Sequence, residues 1–388
     1  MTQIKAEWLS AAPTQRVFAL LTDAGHQAYA VGGCVRNTLL GEPVKDIDIT
    51  TDAHPETVTK LGENAGIKVV PTGIEHGTVT LIANSIPHEV TTFRRDVATD
   101  GRRATVAFSD NITDDARRRD FTMNALYADA DGNIVDPLKG LPDLHARRFR
   151  FIEDADQRIK EDYLRSLRFF RFQAWYGDPQ EGPDPDALDA IARNLDGLET
   201  LSRERVGSEI LRLLEAPDPA PAVATMRSTG VLHAVLPGAE DGTLAPLIYL
   251  EQIHGIDPDP IRRLAALGGD DVSKRLRLSR KLADNLKILK TADPMLAAGE
   301  AGYRMGQGAA ISAALLFAAS LSQNLNPNQL AEIQYGSTQV FPLKANDLMP
   351  DMTGKALGDA LKSLENQWIK SKFALSRNAL LDLHRNQG

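Results

Sequence analysis

Gly32-Gly33-Cys34-Val35-Arg36 and, one short helix later, Asp46-Ile47-Asp48-Ile49 are the stretches from which the fold of this chain is read. In an extended strand residues i and i+2 leave from the same face, so Asp46 and Asp48 reach one place while Ile47 and Ile49 enter the core behind them. Two carboxylates so placed repel each other unless a cation lies between them. Mg²⁺ takes one or two carboxylates and completes its shell with phosphate oxygens, so a nucleoside triphosphate is the natural third party. The glycine pair lets the backbone come close to a phosphate, and Arg36, at the start of the following helix, offers a charge-assisted donor. Neither motif is specific alone. The glycines lack the GxGxxG spacing of a dinucleotide fold and the Lys-Ser/Thr ending of a P-loop, and a lone Asp-x-Asp is more often a turn or a cap. A short helix apart, they set a phosphate cradle beside a metal pair.

On either side of that pair, residues 28–145 alternate short strands and helices. Strands are expected at 28–31, 47–50, 79–82 and 86–92. A helix at 35–40 closes on Gly41, and Asp52 is expected to cap the next one, with Pro55 in its first turn. The loop Gly73-Ile74-Glu75-His76-Gly77 precedes the 79–82 strand, with His76 as a structural residue. Residues 113–128 have helical periodicity, with Phe121, Ala125 and Leu126 on one side. Beyond 145 the strand signals largely vanish. Residues 162–176 read as an amphipathic helix in which Leu164, Leu167, Phe170 and Phe172 compete for the core and Arg165, Arg168 and Arg171 recur at intervals of three. A Pro/Gly/acidic stretch at 177–185 separates it from helices at about 186–194, 203–215 and 219–229. From about 235 the chain is rich in Leu, Ala and Lys with no β pattern, which reads as helical.

The 388 residues, 43% of them hydrophobic and 25% charged, suffice for two or three domains with buried cores. Residues 1–10 carry no basic segment followed by an apolar run, and the apolar run 309–321 is too short to span a bilayer. Neither a secretory leader nor a membrane anchor is expected, and the expected location is cytoplasmic. The single cysteine, Cys34, excludes internal disulfides and fits a reducing compartment; beside a glycine turn it reads as a small packing residue. A net charge of -8 argues against indiscriminate nucleic-acid binding. Arginines nevertheless cluster at Arg94-Arg95, Arg102-Arg103, Arg117-Arg118-Arg119, Arg147-Arg148-Arg150 and Arg165-Arg168-Arg171, a stripe able to hold phosphates. Any one cluster also fits a solvated helix face. No His-Glu-x-x-His and no Cys/His set with zinc spacing occurs, and no obligate protein partner is evident.

The motifs stand in the order of the class II tRNA nucleotidyltransferases and bacterial poly(A) polymerases of the DNA polymerase β superfamily, which the chain resembles over residues 28–235. Gly32-Gly33-Cys34-Val35-Arg36 with Asp46-Ile47-Asp48 matches the first motif, and Arg118-Arg119-Asp120-Phe121-Thr122-Met123-Asn124-Ala125 the second. Asp136-Pro137-Leu138-Lys139-Gly140 is similar to the head-to-neck connection, and Glu161-Asp162-Tyr163-Leu164-Arg165 to the nucleotide-selecting motif. Arg203-Glu204-Arg205 through Glu209 resembles the last. Asn37 departs from the pattern, since the family usually has Asp after the arginine.

The resemblance implies an α+β amino-terminal nucleotidyltransferase head at 1–145, a mixed sheet with helices, followed by an all-α neck at 146–235 and an all-α body and tail at 236–388 that grip tRNA. The implied activity is addition or repair of the 3′-terminal CCA of tRNA from CTP and ATP. The RNA 3′-hydroxyl would attack the α-phosphate and release pyrophosphate. Asp46 and Asp48 would hold Mg²⁺; Glu89 is either a third catalytic carboxylate or a partner of Arg94. Gly32, Gly33, Arg36, Arg119, Asp120 and Asn124 would contact the nucleotide, Asp120 accepting from the ribose 2′-hydroxyl. Asp162 and Arg165, i and i+3 on one helix, would address the Watson–Crick edge of the base, with Arg168 also nucleotide-binding; the plain alternative is an intrahelical salt bridge. Arg94, Arg95, Arg102, Arg103 and Arg171 would meet RNA. The stretch 94–103 alternates charge as a mobile loop would, and in the family a loop here helps switch from C to A; a solvated hairpin is the alternative. Poly(A) polymerase is the nearest rival function, and a catalytically silent RNA-binding protein the rival of another class.

Overall fold

The computed structural model describes residues 2–74, 77–100, 103–178, 180–349 and 352–386; for Thr72, 96–100 and 103–106 it describes the backbone only. The chain divides into two compact units, Met1–Pro237 and Gly238–Gly388. In the first, nine strands are described: β1 Ala28–Val31, β2 Ile47–Thr51, β3 Lys68–Gly73, β4 Thr78–Ala83, β5 Ile86–Thr92, β6 Arg94–Asp100, β7 Arg103–Phe108, β8 Tyr127–Ala128 and β9 Ile134–Val135. Seven form one mixed sheet in the order β3-β4-β5-β2-β1-β8-β9, and β6 and β7 form a separate antiparallel ribbon. Within the sheet β2 and β5 run parallel, with Asp48 opposite Glu89, whereas β1 runs antiparallel to β2, with Ala30 opposite Ile49. The β4–β5 connection turns on Asn84 and Ser85, both at positive φ (48° and 69°), the mirror-image turn that suits the twist of a two-residue hairpin.

The helix Ala12–Thr22 buries Thr14, Val17, Phe18 and Leu21, the three-and-four spacing of one helical face, against the sheet. The helix Pro55–Asn64 lies beside it. Gly62 is required there: a Cβ would stand 2.8 Å from Val69 Cγ2 and 2.9 Å from Leu81 Cδ2. Asp52 does not cap that helix. Its carboxylate instead meets His26 Nδ1 and accepts from the Gln27 backbone N–H, both at 3.0 Å, while His54 occupies the cap position without a side-chain bond.

Residues 113–128 do not form the expected single helix. Ile112–Arg117 is helical and capped by Asn111, Thr122–Asn124 is one 3₁₀ turn, and Tyr127–Ala128 is β8. Every residue from 121 to 128 is buried, so apolar spacing there marks no preferred face. Arg94–Asp100 and Arg103–Phe108 pair as the β6–β7 ribbon, the hairpin alternative rather than the mobile loop, with Arg94 opposite Phe108 and Arg95 opposite Ala107.

Helices follow: Ala155–Glu161, Leu164–Tyr176, Pro185–Arg193, Arg203–Leu214, Ala220–Ser228 and Val231–Val235. The helix expected from 162 begins at Leu164. Asp162 is extended (φ -155°, ψ 101°), and its Oδ1 accepts from Leu164 N at 3.1 Å, which breaks the chain away from the preceding helix. Phe149 and Phe172 stack 5.4 Å apart, and Phe121 meets both edge-on at 5.7 and 5.6 Å, so the apolar core is continuous from the sheet-bearing part into these helices.

Among the described residues the regular elements of the second unit are all helices. One apolar cluster contains Leu247, Leu250, Leu315 and Leu325, and another Leu343, Leu364, Trp368 and Leu380. Glu251, 2% exposed, accepts from Arg262 Nε and Arg263 Nη2, both at 2.7 Å. No described helix is long and apolar enough to cross a membrane.

Candidate active site

β1 runs into Gly32, whose φ of 72° and ψ of -124° only glycine adopts without strain, and the helix Gly33–Leu40 starts at the next residue. That helix stops on Gly41 in the left-handed conformation (φ 74°, ψ 21°). A Cβ on Gly32 would lie 3.6 Å from Arg119 Nη1 and 4.0 Å from Asp48 Oδ2. The turn therefore leaves an opening between a carboxylate and a guanidinium. Cys34 is buried behind it, its Sγ 3.3 Å from Val31 O, and burial pushes its thiol up to about 11, as expected of a packing residue rather than a nucleophile.

Three carboxylates border this opening. Asp46 is exposed and immediately precedes β2, Asp48 is half-buried within it, and Glu89 is exposed on β5 directly opposite Asp48. Burial, then the charge of Glu89 and that of Asp46, push the Asp48 carboxyl up to about 6, with Arg119 pulling the other way. Crowding of this kind is what a divalent cation relieves. Among the described residues no three acidic, histidine or cysteine side chains converge closely enough to hold an ion unaided. A cation here needs oxygens from a ligand, which suits Mg²⁺.

Arg119 is fixed from behind. Asp115, fully buried, accepts from its Nη2 at 2.8 Å and Nε at 3.2 Å, and the Tyr127 hydroxyl donates to the same carboxylate at 3.0 Å. Burial works to raise Asp115, yet Arg119 and Arg118 hold it below the usual carboxylate range. Asp120 is filled in a similar way. Its Oδ1 accepts from Phe121 N and Asn124 Nδ2, both at 2.9 Å, and its Oδ2 from Arg168 Nε at 2.7 Å and Nη2 at 2.6 Å. Burial opposes ionisation, but Arg168 and Asn124 bring the carboxyl down to about 2. Arg36 is buried rather than turned to the opening: Nη1 donates to Asn124 Oδ1 at 2.6 Å, and Nη2 and Nε donate to Asn37 Oδ1 at 2.8 and 3.1 Å.

Asp162 and Arg165 do not share a helical face. Asp162 Oδ2 accepts from Arg205 Nη2 at 2.6 Å, whereas Arg165 donates to Glu161 Oε2 at 2.7 Å, Arg158 O at 2.8 Å and Arg118 O at 3.0 Å. The last of those bonds ties the start of the Leu164–Tyr176 helix to the residue before Arg119. Arg171 pairs with buried Glu209 at 2.6 Å. Arg94 and Arg95 open β6, half-buried and exposed respectively. His76 and Arg102 lie outside the described residues, and Arg103 is described by its backbone alone. Sequence reasoning quoted Arg205 and Glu209 within a motif without assigning them partners. It missed Asp115, although the i,i+4 spacing to Arg119 was a local signal for the pair, and Tyr127, whose role is its contact with Arg119 and Asp115 across a turn.

Residues 28–150 match the family model described as "Poly A polymerase head domain", and residues 183–242 match "Probable RNA and SrmB- binding site of polymerase A". The chain is 33% identical over 380 residues to the mitochondrial CCA tRNA nucleotidyltransferase 1 of Mus musculus, covering 93% of this chain and 87% of the mouse protein. It is 31% identical over 395 residues to the CCA-adding enzyme of Limosilactobacillus fermentum, covering 95% of each. Its structure resembles that of the Bacillus stearothermophilus CCA-adding enzyme in complex with CTP, with a TM-score of 0.75, 25% identity, and coverage of 97% of this chain and 98% of that one. With relatives 31 and 33% identical over more than nine-tenths of its length and a family model matching its sheet-bearing part, the chain belongs to the CCA-adding tRNA nucleotidyltransferases, the class II family built on the poly(A) polymerase head domain.

Proposed function

We propose that this protein adds or repairs the 3′-terminal CCA of tRNA, taking CTP and ATP and releasing pyrophosphate. The observation that carries the reading is the opening between Asp48 and Arg119, roofed by Gly32 and bordered by Asp46 and Glu89. A triphosphate needs a close backbone approach, a fixed positive charge and a carboxylate-held cation, and this opening offers the residues for all three. Asp46 and Asp48 would hold Mg²⁺, with Glu89 beside them. That ion, when bound, activates the RNA 3′-hydroxyl and neutralises charge on the phosphates. Arg119, immobilised by Asp115 and Tyr127, keeps its charge at the phosphate side. The helix Gly33–Leu40 turns its amide end, at Gly32-Gly33, toward the same place. Asp120, with its oxygens already engaged, serves to orient Asn124 and Arg168 around the sugar. Asp162 and Arg165 select the base, which requires Asp162 to exchange Arg205 for the nucleotide.

We assign Arg94 and Arg95 on β6 and Arg103 on β7, together with Arg102 and Arg171, to the RNA, and 236–388 to the body of the tRNA. A lone buried cysteine fits a reducing compartment such as the cytoplasm. The test is to incubate the protein with tRNA lacking its CCA, Mg²⁺ and both nucleotides, and to sequence the 3′ ends. Ends completed to CCA are expected. Elongation with ATP alone would make it a poly(A) polymerase, and tRNA binding without incorporation a silent RNA-binding protein.

A further inference from the structure

Arg36 sits where a phosphate ligand was expected, yet its donors point elsewhere. It is 5% exposed, with three bonds to the side-chain oxygens of Asn37 and Asn124. Its Cζ lies 4.4 Å from the Tyr176 ring centroid and 4.9 Å from that of Phe172, both on the Leu164–Tyr176 helix. Two more guanidiniums meet Phe172, Arg171 at 4.1 Å and Arg168 at 5.2 Å. Those two have carboxylate partners, Glu209 and Asp120. The side-chain amides of Asn37 and Asn124 are neutral acceptors, and against the cost of burial Arg36 is supported by Tyr176, through its hydroxyl as well as its ring, by the Phe172 ring and by the nearby charge of Asp120.

The two elements joined here hold opposite ends of the substrate in the CCA-adding reading, on which this inference rests. The helix Gly33–Leu40 begins at the Gly32 turn beside Asp48. The helix Leu164–Tyr176 begins beside Asp162 and Arg165. Asn37 extends the link, because its Nδ2 donates to Pro43 O at 2.8 Å in the turn that leads to Asp46. An aspartate at 37 would accept from Arg36 but has no N–H to give Pro43. We propose that Arg36 is a positioning residue that, clamped between the Tyr176 and Phe172 rings and the Asn37 and Asn124 amides, sets the base-selecting helix at a fixed distance from the metal-binding strand. Lysine cannot replace it, since an ammonium lacks the planar fork that meets two amides and two rings at once.

The experiment compares wild type, Arg36→Lys, Tyr176→Leu and Tyr176→Phe on truncated tRNA with CTP or ATP, using inorganic tripolyphosphate as an inhibitor that probes the phosphate site alone. Wild-type addition of C and A tests the underlying reading; the variants, scored relative to wild type, test the coupling. Arg36→Lys and Tyr176→Leu are each expected to lower kcat by about 10- to 100-fold and to raise incorporation of the wrong base, as misplacement of reacting groups does. Tripolyphosphate inhibition should stay within about twofold of wild type in both, and Tyr176→Phe, which keeps the ring face but loses the hydroxyl, should lose clearly less kcat and fidelity than Tyr176→Leu. Weaker tripolyphosphate inhibition by about tenfold in Arg36→Lys, with Tyr176→Leu normal, would make Arg36 a phosphate ligand and overturn the proposal. Wild-type kcat and fidelity in Tyr176→Leu, or equal losses in the Leu and Phe variants, would overturn it too. If Arg36→Lys fails to fold by circular dichroism, the two Tyr176 variants decide by the same criteria.

Discussion

Asp48 stands directly opposite Glu89 across the parallel pairing of β2 with β5, and the two acids, with Asp46, share one patch of the head. The Asp48 carboxyl, pushed up to about 6 from its ordinary 3.8, binds more protons in the folded chain than in the unfolded one between those values. Stability of the ligand-free protein therefore falls as pH rises through about 4 to 6, and the loss is complete above that window. Asp48→Asn should raise the Tm at about pH 8, leave it little changed at about pH 3.5, and abolish nucleotide incorporation. Thermal unfolding at the two pH values checks this; an equal shift at both would mean that the carboxyl is not crowded.

Gly32→Ala brings a Cβ to a backbone at φ 72°, ψ -124°, and into the opening between Arg119 and Asp48. The strain should cost about 1–3 kcal/mol in stability. Incorporation should fall by about 100-fold or more, because the phosphates lose their seat. Urea unfolding and steady-state incorporation measure the two effects separately, and an active Gly32→Ala enzyme would remove the glycine turn from the site.

The Asp162–Arg205 pair is partly open to solvent, its side chains 30% and 38% exposed, so Arg205→Ala should cost less than about 1 kcal/mol in stability. Its effect should appear in nucleotide choice, since Asp162 is then released from a competing partner. Arg165→Ala should likewise alter the preference between CTP and ATP. Measuring kcat/KM for each nucleotide decides: equal loss with both, or no loss, denies Arg165 a role in reading the base.

In the second unit Glu251 is shared by two guanidiniums that are themselves buried, Arg262 at 4% and Arg263 at 1% exposure. Glu251→Gln removes the negative charge that both guanidiniums share and should destabilise by about 3–5 kcal/mol, the usual consequence of breaking a buried pair from one side. Denaturant unfolding gives the value. A loss below about 1 kcal/mol would mean that the two arginines find other compensation.

Much of the head was readable from local chemistry. Gly32-Gly33 required a turn, Gly41 a helix stop, and the alternation around Asp46 and Asp48 a strand, because each follows from the conformational limits of a few adjacent residues. The mixed sheet followed by helices was expected on the same grounds and on the resemblance of the motifs. The 94–103 segment was read as a mobile loop, with a solvated hairpin as the alternative, because its sequence has little apolar content and so offers no apolar alternation to mark strands. Residues 113–128 were read as one helix because Phe121, Ala125 and Leu126 have helical spacing, but residues 121–128 are all buried, so that spacing marks no face.

What the residue order settled here is the inventory: which acids, glycines and arginines exist, and which neighbours share a strand or a turn. Folding settled the partnerships, because Glu89 against Asp48, Arg168 on Asp120, Arg205 on Asp162 and Tyr176 over Arg36 join residues far apart in the chain. No spacing rule reaches across such separations. Only the packing of strands and helices around a common core brings those groups together, and the same packing buries Arg36 against Tyr176 and Phe172 of the Leu164–Tyr176 helix.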